Sequence, residues 1–112
     1  MITSLRTARA TAAGGAIALG LAPACVFRLV RVTVHFNIAP VTSQNLTVTL
    51  NSLGGAAYDT VLRSVNPSVG AITDLSIEFD GSQLFRDGDQ IDVAYANADG
   101  RTYGAEIVAE AP

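Results

Sequence analysis

The chain has 112 residues, enough for one domain whose single core buries roughly 65% of the unfolded surface. Apolar residues make up 49% of it and charged residues only 15%, which suits a subunit partly covered by partners better than a free monomer with a large surface to keep wet. The net charge of −3 argues against a generic nucleic-acid binder, which needs a basic stripe; no run approaches the ~20 apolar residues of a membrane-spanning helix; and the lone Cys25 excludes an intrachain disulfide and argues against a cysteine-built metal site.

The first residues imitate a secretion signal. Arg6 and Arg9 form a basic region, Ala16–Leu21 an apolar run, and Ala22-Pro23-Ala24 a small-x-small site before Cys25. A lipoprotein reading would put the lipid on Cys25. Pro23 sits badly for cleavage, Ala22 stands where such signals usually carry Leu, and Gly14-Gly15 shortens the run. Ordinary structure is the preferred reading: a strand over Ser4–Thr11, a Gly14-Gly15 turn and a strand around Ala16–Leu21. All cations are arginines, and Arg6, Arg9, Arg28 and Arg31 precede the first acid. This basic start on an acidic body marks Arg6 and Arg9 as candidate interface residues, with residues 1–13 as an N-terminal arm or edge strand and residues 14–112 as a single sandwich domain. The arm is expected to pack on a neighbouring chain.

Val26–Asn37 is the longest strand candidate, and its phase changes. Phe27 and Leu29 share one parity, while Val30, Val32, Val34 and Phe36 share the other. A β-bulge near Leu29-Val30 reconciles them, because one extra residue flips the faces. A strand that long, bent once, can serve two sheets of a sandwich.

Beyond Ala39-Pro40 the period stays at two. Leu46, Val48 and Leu50 alternate with Thr and Asn; Leu75, Ile77 and Phe79 with Ser76, Glu78 and Asp80; Ile91, Val93 and Tyr95 with Asp92, Ala94 and Ala96. Gly54-Gly55, Asn66–Gly70, Asp80-Gly81, Asp87-Gly88 and Asp99-Gly100 fall between the runs as turns, the last reading as a hairpin. About eight short, evenly spaced strands predict an all-β fold, an antiparallel β-sandwich of jelly-roll-like form.

Chemistry-bearing constellations are sparse. Asp87-Gly88-Asp89 with Asp92 offers clustered carboxylates to a hard cation such as calcium, but without EF-hand spacing or a closing Glu; Asp is also a turn-capping residue, and the turn reading takes precedence. His35, the single histidine, lies on the polar parity of its strand with no Gly-x-Ser-x-Gly elbow in the sequence, so no catalytic residue and no cofactor is expected. Tyr58, Tyr95 and Tyr103 are candidates for a sugar-stacking platform, although core packing, with Tyr95 and Tyr103 paired across the Asp99-Gly100 hairpin, is preferred.

The pattern Phe85-x-x-Gly88-Asp89-x-Ile91-x-Val93-x-Tyr95-x-Asn97-x-Asp99, followed by Tyr103-Gly104, and the Ala-Ala-Tyr58-Asp59-Thr60 stretch feeding a strand give the chain a likeness. It resembles small β-sandwich virion proteins of tailed bacteriophages, of the capsid decoration (cement) or head-fibre type. The resemblance implies a subunit on the capsid surface that stabilises the outer shell, self-associates, often as a trimer, and contacts the major capsid protein or other virion subunits. It carries over no catalytic residues. The alternatives are a secreted or lipid-anchored bacterial surface or adhesin domain, and a carbohydrate-binding module on a viral fibre.

Overall fold

In the computed structural model, residues 4–111 are described; Met1–Thr3 of the expected arm lie outside them. The described residues form nine strands: β1 Ser4–Ala13, β2 Ile17–Leu21, β3 Phe27–Phe36, β4 Leu46–Asn51, β5 Thr60–Val65, β6 Asp74–Glu78, β7 Leu84–Phe85, β8 Gln90–Tyr95 and β9 Thr102–Ala111, with one 3₁₀ turn at Ala56–Tyr58. One sheet has the order β1-β9-β3-β6, with β7 also on β3; the other has the order β2-β8-β4-β5, and every pairing is antiparallel. Most chain connections therefore cross from one sheet to the other. Apart from the two-residue β7, this is jelly-roll order, in which two four-stranded layers close over one core.

The alternation seen in sequence sets the faces. Leu46, Val48, Ile91, Val93 and Tyr95 from one sheet meet Phe27, Leu29, Val32, Val34, Phe36, Tyr103, Ala105 and Ile107 from the other, all buried. Ile77 joins them, and Leu75 and Phe79 pack against the cluster while remaining half-buried. One aromatic contact lies within a sheet and one ties the layers: Phe27 stacks on Phe85, its partner on β7, with ring centroids 5.1 Å apart, and Phe36 meets Tyr95 of the other sheet edge-on at 5.6 Å.

The bulge in β3 lies where the phase change placed it. The register with β9 slips between Leu29 and Arg31, leaving Val30 as the extra residue. Its carbonyl accepts the Phe79 N–H at 2.9 Å. Phe27 and Leu29 before it, and Val32, Val34 and Phe36 after it, thus share the inner face. The two-sheet role open to a strand of this length is not used: β3 stays in one sheet, because the bulge alone restores the phase and no bend is needed.

Three further expectations are corrected. Asp99-Gly100 does not close a hairpin: β8 and β9 belong to different sheets, and the turn is an arch across the core. Tyr95 and Tyr103 are consequently not a cross-strand pair; Tyr95 packs on Phe36, and the Tyr103 hydroxyl donates to the Ala16 carbonyl at 3.1 Å. The first segment, over the residues described, is not an arm on a neighbour. β1 pairs with β9 of its own chain over ten residues, from Ser4 opposite Ala111 to Ala13 opposite Thr102. Ala8, Ala10 and Ala12 then reach the core from the edge, and continuous backbone pairing outweighs whatever two arginines gain elsewhere.

Candidate functional site

One end of the sandwich is built around the Arg86–Asp89 turn. Gly88 takes a φ of +96°, and a side chain there would run into Leu53. Asp89 is buried; one carboxylate oxygen accepts the Leu53 N–H at 3.1 Å and the other the Arg86 N–H at 3.0 Å. This carboxylate stitches the β4–β5 loop to the β7–β8 turn, so its lone pairs serve the backbone. Asp92 lies on β8 against the Gln90 side-chain amide, 2.5 Å away, and Asp87 is exposed. The three candidate metal ligands are thus not gathered: among the described residues no group of three His, Cys, Asp or Glu is placed to hold a metal ion.

Beside this turn opens a cleft of about 810 Å³. Leu53, Tyr58 and Leu84 form its apolar rim and are 72%, 66% and 55% exposed, far more than their neighbours in the core. The 3₁₀ turn that carries Tyr58 is fixed by its N–H on the Gly55 carbonyl at 3.0 Å and by Asp59, which accepts the Ser52 N–H at 2.8 Å. Gln83, Arg86 and Asp87 also line the cleft. Of the three tyrosines only Tyr58 presents a face to solvent; Tyr95 and Tyr103 are buried, which removes the three-ring sugar platform and leaves one ring.

The opposite end is a set of loops held by side chains. Asp99 accepts the N–H of Val41 at 2.9 Å, the N–H of Thr42 at 2.8 Å and the Thr42 hydroxyl at 2.6 Å. Donation by Thr42, from hydroxyl and backbone, holds the Asp99 carboxyl below its ordinary range. Buried Asn97, at φ +55°, donates to the carbonyls of Gly15 and Arg101, both at 2.9 Å, and accepts the Arg101 N–H at 3.0 Å. Asn66 donates to the Ser43 hydroxyl at 2.8 Å, tying the β5–β6 loop to the β3–β4 loop. On this braced rim stand Ile38, Val41 and Val69, which are 56%, 75% and 69% exposed.

The outer face of the β1-β9-β3-β6 sheet carries a third feature. In register across the four strands lie the rows Arg9, Glu106, Thr33, Ser76 and Thr11, Gly104, His35, Asp74. Arg9 pairs with Glu106 of its own chain, and Arg6 donates to the Ser4 hydroxyl at 2.9 Å. Gly104 leaves the floor of the second row open, and a trough of about 550 Å³ runs over it. His35 Nδ1 lies 2.5 Å from Asp74; this hydrogen bond holds the Asp74 carboxyl below its ordinary range. The Ser76 hydroxyl donates to Glu78 at 3.2 Å.

Sequence reasoning missed the cleft, the trough and the role of Asp99. Each depends on residues distant in sequence, up to the 97 positions between Arg9 and Glu106, meeting at a sheet end or across strands, which no local pattern encodes. A signal did exist for Asp99, since Asp readily caps backbone N–H groups of a nearby loop. Cys25 lies between β2 and β3, half-buried, with a free thiol packed against the core edge. No known family matches this chain, and no curated protein is found to be similar to it.

Proposed function

We propose that the chain is a structural virion protein of a tailed bacteriophage, a capsid decoration subunit that binds the outer shell and clamps neighbouring capsomers. The observation that carries this reading is the braced loop end, where Ile38, Val41 and Val69 stand exposed on backbone fixed by Asp99, Asn97 and Asn66. Apolar groups on pre-ordered loops bind a protein surface at low entropic cost. The jelly-roll layers beneath supply a stiff scaffold for them, in keeping with the likeness in sequence. The partners are the major capsid protein and further copies of the chain, and the location is the capsid surface.

The test is sedimentation of purified protein with capsid shells of the phage that encodes it. Wild type is expected in the shell pellet, and Val41→Asp with Val69→Asp in the supernatant with unchanged circular dichroism. Wild type that stays in the supernatant, or a double variant that still pellets, overturns the reading.

A second reading, a carbohydrate-binding module, draws on the Tyr58 cleft, where an aromatic face stands beside the amide, guanidinium and carboxylate of Gln83, Arg86 and Asp87. A glycan array with wild type and Tyr58→Ala distinguishes it. The lipid-anchored surface domain draws no comparable support: cleavage before Cys25 would remove β1 and β2, and with them Ile17 and Leu21 from the core.

A further inference from the structure

The sandwich has two open sides, and they are finished differently. On one side the edges are β5 and β6. The β5 strand is bulged at Leu62, where its register with β4 slips, and carries exposed Arg63. The β6 strand begins at Asp74 and ends at Glu78, and five residues break the edge before β7 resumes it. Bulges, charges and interruptions are the usual means of keeping another strand off an edge. The other side has none of the interruptions. β1 runs ten residues in unbroken register with β9, without bulge or proline, and β2 in the second layer, Ile17–Leu21, carries no charged residue. Along its free side, β1 offers a row of backbone N–H and C=O groups that a partner strand can pair.

We propose that β1 pairs with β1 of a second copy of this chain, antiparallel about a twofold axis at Ala8, which joins the two outer sheets into one. The charges of β1 select the partner and the register. In an antiparallel pair, opposed residues share a face, so the axis must pass through a residue rather than between two. An axis at Arg9 sets Arg9 against itself, and one at Arg6 does the same for Arg6. An axis at Ala8 opposes no like charges and, among the axes of which that is true, pairs the longest stretch, Ser4 to Ala12 of each copy. Thr7 then faces Arg9 of the second copy, Leu5 faces Thr11, and Arg6 faces Ala10. The Arg9 charge is already balanced by Glu106 within its own copy, and Leu5, 62% exposed in the single chain, gains a neighbour. The symmetry is twofold, unlike the threefold assembly that the sequence likeness implies, and the contact does not depend on the virion reading.

Light scattering behind size exclusion, over a concentration series of the purified full chain, tests it. Wild type is expected to approach twice its 11.6 kDa mass. Thr7→Lys puts an ammonium opposite Arg9 twice per dimer and is expected to weaken the dissociation constant about tenfold, while Thr7→Glu strengthens it by a similar factor. A chain that stays monomeric throughout overturns the proposal, as does an oligomer indifferent to both substitutions. Should either variant fail to fold, amide exchange of wild type decides: exchange along Ser4–Ala13 must slow as concentration rises, and concentration-independent exchange overturns the proposal. The loop-end variants of the shell assay leave β1 intact, so the failure of either reading is seen separately.

Discussion

Asp99 and Thr42 are bound twice, backbone N–H to one carboxylate oxygen and hydroxyl to the other, across 57 positions of sequence. The contact fastens the β3–β4 loop, with exposed Val41, to the arch between β8 and β9. Because the folded-state pKa of Asp99 is depressed, the stabilisation is complete above the ordinary aspartate value, near 3.8, and is lost as pH falls through the folded value below it. Acidification below about pH 4 is therefore expected to speed amide exchange at Val41 and Thr42 before the core strands respond. Asp99→Ala is expected to speed the same amides tenfold or more at neutral pH. Equal exchange in the variant and wild type would show that the carboxylate does not brace the loop.

The Val30 bulge makes an unusual length prediction. Deleting Val30 leaves Phe27, Leu29, Val32, Val34 and Phe36 in continuous alternation, all still able to face inward. The deletion variant is expected to fold cooperatively, losing about 1–3 kcal/mol with the Phe79-to-Val30 hydrogen bond and the local twist. Deleting Thr33 instead, a residue paired on both sides, would turn Val34 and Phe36 or Val32 and Leu29 outward and is expected to prevent folding. Urea titration of the two deletions checks this; equal behaviour would deny that Val30 is the dispensable residue.

The same strand shows how far the sequence could be read. The β3 phase change was legible because a two-residue period leaves no other way to bury Phe27 and Phe36 on one face. The runs around Val48, Ile77 and Val93 were legible for the same reason. Sheet membership was not. Asp99-Gly100 has the chemistry of a tight hairpin, yet buried Asn97 braces a wider arch with three side-chain hydrogen bonds, and local turn chemistry does not tell which sheet the next strand joins. The arginines at positions 6 and 9 suggested an arm because charge is visible in a sequence and strand pairing is not. At the sites, the turn role of Asp89 followed from residue type, whereas the cleft at Tyr58 and the trough over Gly104 arise only when distant strands are set side by side.

Tyr95 is buried, and its hydroxyl finds no protein partner among the described residues. Burial pushes its pKa above the ordinary phenol value. The ring contributes packing against Phe36, but the hydroxyl brings a desolvation cost with no protein hydrogen bond to offset it. Tyr95→Phe is thus expected to keep the fold and to equal or exceed wild-type stability, by up to about 1 kcal/mol in chemical denaturation. A loss larger than that would reveal a bonded hydroxyl.

Removal of residues 2–13 separates an arm from an edge strand. An arm can be cut away to leave a folded monomer. β1 cannot, because β9 lies between it and β3 as an inner strand of its sheet. Along β9, Tyr103, Ala105, Ile107, Ala109 and Ala111 are buried on the inner side, and Val108 is buried on the outer side opposite Thr7 and Arg31. Without β1, ten residues of backbone pairing disappear, and a long strand with apolar groups on both faces becomes an edge, the arrangement most prone to uncontrolled strand addition. Ala8, Ala10 and Ala12 also leave the core margin. The truncated chain is expected to aggregate or to lose cooperative unfolding, as read by solubility and thermal circular dichroism. A soluble, cooperatively folding product would mean that β9 can serve as an edge by itself, and the ten-residue pairing of β1 would then be an accessory to the fold and not part of it.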